Sequence, residues 1–218
     1  MNPFLVVIAV LAAFAGAYLL ARPRMMRWGA STEEIAQELK GDGLVPHPLL
    51  ATTRAITIRA SAAKVWPWLV QMGQGRGGFY SYDWLENLAG MDIHNADRIV
   101  PELQVLKVGD LIPFWRGAGV KVAGLEAEKI LVLGGSLNPA KDNGGEETVG
   151  GTWVFALSPE GQDACRLIVR SRIADFPPRW LAWPMMHLLM LPMHFIMERK
   201  MMLGIKLRSE RTEKRAGK

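Results

Sequence analysis

The sequence predicts an α+β domain, in which an antiparallel sheet packs against a long terminal helix, with a membrane-crossing helix ahead of it. Three observations predict it. A strand-like stretch at residues 55–60 runs directly into two short aromatic helices joined by a glycine turn. Several short strands separated by turn residues follow, and the chain closes on a helix-forming stretch from Arg179 to about Arg211. A sheet placed in that order has to bury one face, and the terminal helix is the element left to cover it.

Composition bounds the reading. The 218 residues suit one domain with appendages, and 50% of them are hydrophobic. That share points to a membrane segment or a large apolar cavity. A single cysteine, Cys165, excludes an internal disulfide framework. The formal charge of +5 is uneven: Arg22, Arg24 and Arg27 cluster near the start, and Arg199, Lys200, Lys206, Arg208, Arg211, Lys214, Arg215 and Lys218 crowd the end. Basic clusters beside apolar stretches meet anionic lipid more often than nucleic acid, so a membrane is expected as partner and nucleic acid is not. A solvated basic tail is the plainer reading of the last residues.

Residues 3–21 carry no charge and are dominated by Leu, Val, Ile, Ala and Phe. About 20 such residues cross a hydrocarbon core of roughly 30 Å. A cleaved leader would place basic residues before the apolar run, whereas here the arginines come after it. The stretch therefore reads as an uncleaved anchor over residues 1–22. The positive-inside rule then puts the main domain in the cytoplasm of a single-pass protein.

Residues 23–50 read as a connector. Ser31 with Glu34 three residues later offers a capping box, and Gly41, Gly43, Pro46 and Pro48 break any helix beyond it. The domain proper spans 51–211, with a basic tail at 212–218. Ile56 and Ile58 alternate with Thr57 and Arg59, the mark of a strand with one buried face. Ser61 starts a helix that tolerates Pro67 near its beginning. Gly73, Gly75, Gly77 and Gly78 mark a turn, and residues 80–88 resume a helix. Strands are expected at 99–105, 110–115, 120–125, 129–134, 151–157 and 165–173, with turns at 117–119, 125–127, 136–145 and 158–161.

The run Ala60-Ser61-Ala62-Ala63-Lys64-Val65-Trp66-Pro67-Trp68-Leu69 after the first strand resembles the SRPBCC superfamily, the group of START, Bet v 1 and polyketide-cyclase proteins with a helix-grip fold. So does Gly77-Gly78-Phe79-Tyr80-Ser81-Tyr82-Asp83-Trp84-Leu85-Glu86. These strings, with Met197 to Lys206, are similar to a membrane-anchored bacterial branch of no settled activity. The resemblance covers roughly residues 51–209. It implies a deep apolar cavity between a curved sheet and the last helix. It implies no reaction, since relatives range from lipid carriers to cyclases. The anchor and the very apolar last helix depart from soluble relatives and suggest work at a membrane.

Trp66, Trp68, Phe79, Tyr80, Tyr82 and Trp84 suit either a ligand cavity or plain core packing. Tyr80 and Tyr82 are the better ligand candidates, because a buried hydroxyl needs a partner. Trp153, Phe155 and Leu157 alternate and share one strand face, expected to be the concave one. The ligand contacts expected are Trp66, Tyr80, Tyr82, Trp84, Phe114 and Trp153, with Met186 and Met190 of the last helix. For acid–base chemistry the candidates are Tyr80, Asp83 and His94. Arg76 and Arg98 could equally pair with Asp83, Glu86 or Asp97 to fix the second helix on the sheet. The four histidines are scattered, and the glycine turn lies between helices and lacks a phosphate-binding lysine. No metal and no cofactor is expected.

Residues 180–197 hold no Lys, Arg, Asp or Glu. They read as a helix that covers the sheet on one side and rests on a bilayer on the other, or as a second membrane span. The function expected is membrane-tethered binding of a hydrophobic small molecule or lipid, as carrier or sensor. A cyclase- or aromatase-like enzyme and a membrane adaptor with a filled core are the alternatives.

Overall fold

The computed structural model describes residues 2–115, 118–135, 150–174 and 178–216. Six strands form one antiparallel sheet: β1 (Leu50–Ile58), β2 (Leu111–Trp115), β3 (Ala118–Glu126), β4 (Ile130–Gly135), β5 (Gly151–Pro159) and β6 (Cys165–Ile173). Their spatial order is β1-β6-β5-β4-β3-β2, so the first strand pairs with the last and the rest form a meander. Between β1 and β2 lie α3 (Ala62–Val70) and α4 (Asp83–Leu88). Before β1 come α1 (Pro3–Arg27) and α2 (Thr32–Ala36). From Arg179 to Ala216 the chain is helical, as α5 (Arg179–Pro184), a wide-wound turn (Met185–Met190) and α6 (Leu191–Ala216). A curved sheet gripping a long terminal helix, with two short helices after the first strand, is the helix-grip arrangement.

Register decides what each face holds. Thr52, Arg54, Ile56 and Ile58 share a face with Ser171, Val169, Leu167 and Cys165 opposite them, and with Trp153, Phe155 and Leu157 one strand further. This concave face packs on Trp68, Leu69 and Met72 from α3 and its end, and on Met201, Met202 and Ile205 from α6. Gly204 makes the closest approach there, since a Cβ at that position would stand 2.3 Å from the Tyr80 carbonyl oxygen.

The opposite face is covered too, which the sequence did not lead us to expect. Residues 28–49 lie across it. Ala30 and Leu39 pack on Ala55, Ala156 and Ile168. Arg170 bonds Asp42 at 2.6 Å, and Arg166 bonds Glu34 at 2.7 Å. The expected capping box at Ser31 and Glu34 is present, so Glu34 both caps α2 and pairs with the sheet.

The expected strand at 99–105 is absent; a 3-10 turn, Pro101–Leu103, stands there. Pro101 brings no N–H to a ladder. Buried Gln71 supplies the partners instead: its Oε1 accepts from Val100 N at 3.0 Å, and its Nε2 donates to the Arg98 carbonyl at 3.2 Å. The wide turn Met185–Met190 has a similar origin. Pro192 cannot donate to the carbonyl four residues back, and its ring crowds it, so the preceding helix opens. The turn expected at 136–145 lies outside the described residues, as does part of the one at 117–119.

Both long helices run beside β1. The Ala55 amide donates to the Trp28 carbonyl, Met25 packs with Leu50 and Leu191, and the Tyr18 hydroxyl bonds the His187 carbonyl. Further along α6, Lys206 donates to the Thr57 carbonyl and Glu210 accepts from Arg59 N. Thus α1 before Tyr18 and the helix before Leu191 project beyond the same end of the sheet, the end of Leu50 and Ile173. α1 is long and apolar enough to cross a membrane, and so, by length and composition, is the run Arg179–Thr212. Trp180, Leu181, Trp183, Leu188, Leu189, Met193 and Ile196 are exposed, while Ala182, Met186 and Leu191 are buried.

Candidate functional site

Two groups of side chains meet where α6 crosses the concave face. The first is aromatic. Phe114, near the end of β2, stands 5.4 Å from Phe79, which stands 6.2 Å from Trp153, which stands 4.8 Å from Phe155. Phe114 is 42% exposed and Phe155 is fully buried, so the ladder leads from the surface into the core. Met190 is half-buried at the end of the wide-wound turn, and His194 of α6 stands 6.4 Å from the Trp153 ring.

The second group is polar. Arg54 of β1 donates through Nη1 to Glu198 Oε2 of α6, and both side chains are fully buried. Glu198 Oε1 accepts from Trp153 Nε1 at 2.8 Å and from Ser171 Oγ at 3.2 Å. His194, one turn earlier, places Nε2 3.4 Å from Glu198 Oε1 and Nδ1 3.1 Å from Arg54 Nη1. Arg54 Nε donates to the Met25 carbonyl at 2.7 Å, so one guanidinium ties α1, the sheet and the last helix. Buried charges persist only when paired and hydrogen-bonded, and this pair is both.

The sequence reading passes over Arg54, Ser171 and Glu198, and weighs His194 as a metal ligand and as a residue that weakens a second membrane span. A signal existed. Arg54 has the same strand parity as Ile56 and Ile58, which puts a charge on the buried face. Glu198 is four residues after His194 and lies on the stripe of Met201, Met202 and Ile205.

The other expected contacts are spread out. Tyr80 is buried, and its hydroxyl donates to the Trp68 carbonyl at 2.9 Å. Burial pushes its phenol above the ordinary value. Its φ of 58° is left-handed, held by Asn95 Oδ1 accepting from its amide at 2.6 Å. Trp66 is half-buried against the core. Tyr82 and Trp84 pair with each other at 6.5 Å at the start of α4, and Trp84 is 65% exposed. Met186 is buried in the wide-wound turn.

Of the acid–base candidates, Asp83 accepts from the Trp84 amide at 2.9 Å, and exposed His94 pairs with Asp92 at 3.1 Å. Arg76 caps carbonyls at the end of α3, those of Val70 and Met72. Asp97 pairs with Arg208 at 3.0 Å. Among the described residues, no group of three His, Cys or carboxylate side chains is placed to hold a metal. A cleft of about 510 Å³ lined by Pro46, His47, Pro48, Leu49 and Arg179 opens beside the start of β1. The aromatic ladder lines no part of it.

Glu86 is a buried carboxyl outside this cluster. It is buried on α4 with Oε2 unpartnered. Burial, and then the charge of Asp83, push it up to about 7 from an ordinary 4.5. Between those values the unfolded chain releases a proton that the folded chain keeps, so stability falls as pH rises through that window. Glu86→Gln is expected to match the wild type below the ordinary carboxyl value and to exceed it at about pH 8, by on the order of 1–2 kcal/mol. Thermal melts at the two pH values check this, and a difference that does not change with pH contradicts it.

Fold and site together define a helix-grip domain with an apolar helix ahead of it and a buried ion pair beneath its last helix. No protein-family model matches the chain. No curated protein matches it. Among solved structures, a protein of Mesorhizobium loti is 16% identical over 75% of this chain and 98% of its own, with a TM-score of 0.39. A protein of Arthrobacter aurescens is 14% identical over 75% of this chain and 87% of its own, at 0.40. Norcoclaurine synthase of Thalictrum flavum, in complex with dopamine and hydroxybenzaldehyde, is 15% identical over 67% of this chain and 83% of its own, at 0.34.

Proposed function

We propose that this is a membrane-tethered helix-grip protein of the SRPBCC kind that takes a hydrophobic small molecule or lipid from the bilayer. It holds that ligand between the sheet and the last helix, as a carrier or sensor. One observation carries this reading. The anchor, the exposed apolar side of residues 180–189 and the surface end of the aromatic ladder all lie at the same end of the sheet. A bilayer that takes α1 then lies against Trp180 and Trp183, and Phe114 and Trp153 face the source of ligand. Tethering raises the local concentration of lipid, so weak binding suffices. Arg22, Arg24 and Arg27 follow the apolar run and favour a cytoplasmic domain.

A membrane adaptor with a filled core is the second reading. It is favoured by the packing of Phe155, Trp68, Met201 and Met202 inside the domain. The two are separated by purifying the full chain in lipid discs without detergent and identifying bound small molecules, with Phe114→Glu alongside. A discrete apolar species that the variant loses supports the ligand-holding reading. Identical bulk-lipid profiles for both proteins overturn it in favour of the adaptor.

A further inference from the structure

The concave face carries an unfinished polar patch. Thr52 and Arg54 lie two residues apart on β1 and share that face. Thr52 is opposite Ser171, which is in turn opposite Trp153. Glu198 already has its carboxylate filled by Arg54, Trp153 and Ser171. Arg54 has Nε on the Met25 carbonyl and Nη1 on Glu198. Two groups remain open: Thr52 Oγ1 and Arg54 Nη2 are buried and have no hydrogen-bond partner. Buried polar groups are almost always satisfied, and two orphans on one strand face, two residues apart, call for a shared explanation.

The geometry points to a head-group site, in which Thr52 and Arg54 bind the oxygen of a neutral amphiphile, an alcohol or a carbonyl compound, whose apolar chain lies along Trp153, Phe79 and Phe114. This rests on the ligand-holding function proposed above and specifies the polar end of the ligand. Both open groups can donate, so they suit an acceptor oxygen. Charge fixes its neutrality. Arg54 is matched by Glu198, and both side chains are fully buried. A carboxylate or phosphate would bring a second negative charge beside Glu198, and among the described residues the pair's other neighbour is the His194 ring, whose Nδ1 stands 3.1 Å from the Arg54 cation.

The patch has side chains that reach the surface. The His194 side chain is 31% exposed, and Trp153 is half-buried. Phe195, whose ring centre is 5.4 Å from the Arg54 guanidinium carbon, is half-buried as well. From Trp153 the aromatic ladder leads to exposed Phe114, so an apolar chain laid along these rings from the surface would end beside the head-group position.

The test uses the full chain in phosphatidylcholine discs and four sixteen-carbon probes: hexadecanol, methyl hexadecanoate, hexadecanoate and hexadecane. Retention is read by mass spectrometry after transfer to probe-free discs. Thr52→Val keeps the side-chain shape and leaves the Arg54–Glu198 pair untouched, and Thr52→Ser keeps the hydroxyl. The wild type is expected to retain hexadecanol and the ester about fivefold or more over hexadecane. Thr52→Val should lose most of that preference with hexadecane unchanged, and Thr52→Ser should restore it. Equal retention of hexadecanol and hexadecane in the wild type and Thr52→Val overturns the head-group site while leaving the ligand-holding function standing. Preference for hexadecanoate overturns the neutral head group. Retention of none of the four overturns the ligand-holding function itself.

Discussion

Glu198→Leu is expected to cost about 3–5 kcal/mol of stability, the usual effect of removing one partner from a buried ion pair. The Arg54 side chain has no exposure, so its charge would remain in the interior unmatched. Trp153 Nε1 and Ser171 Oγ would lose their acceptor at the same time. The cost is specific to breaking the pair. Arg54→Met/Glu198→Leu removes both charges and should recover most of the loss, because well-packed apolar residues often replace a buried pair without penalty. Equilibrium unfolding of the two single variants and the double variant measures this. A double variant as unstable as the sum of the singles would mean that the two residues act independently.

Trp68→Ala is expected to cost about 3–5 kcal/mol, the range for emptying a large buried aromatic site. Trp68 is 2% exposed in the main core. Its ring meets Tyr80 edge-on, with centroids 5.7 Å apart and an interplanar angle of 83°. Its carbonyl also accepts the Tyr80 hydroxyl. Tyr80 is in a left-handed backbone conformation, at φ 58°, so loosening Trp68 also loosens a residue that needs its surroundings to hold it. Trp84→Ala, at a side chain 65% exposed, should stay within about 0.5 kcal/mol of the wild type. Thermal or denaturant unfolding of both variants checks the contrast. Similar losses for the two would contradict this placement of the core.

The contrast between these tryptophans shows how far the sequence could be read. The junction from strand to aromatic helix was legible, because Ile56 and Ile58 alternate and Ser61 follows. Which ring faces in was not, since Trp66 and Trp68 differ only by their angle around a helix whose partner is far along the chain. The strand Cys165–Ile173 was readable to its ends, as a long β-rich run between turn signals. The first strand is expected at 55–60 and starts five residues earlier, at Leu50, because Thr52, Thr53 and Arg54 break the apolar pattern. They are polar on purpose of their partners: Thr53 and Arg170 bond across the back of the sheet, and Arg54 bonds Glu198 across the front. Pairs separated by more than a hundred positions leave no local trace, which is also why residues 28–49 read as a linker. The strand expected at 99–105 failed for a related reason. Its apolar residues alternate passably, but its backbone is satisfied by Gln71, from an element nearly thirty positions earlier.

The central claim is that the end of the sheet bearing Leu50, Ile173 and Phe114 faces the bilayer. Its most direct test is depth-dependent fluorescence quenching in lipid discs. Single labels would be placed at Trp183→Cys, beside that end, and at Gln162→Cys, in the turn between β5 and β6 at the far end, both in a Cys165→Ser background. Nitroxide lipids should quench the label at position 183 strongly and leave the one at 162 untouched. Quenching at 162 with none at 183 would turn the domain over and contradict the account.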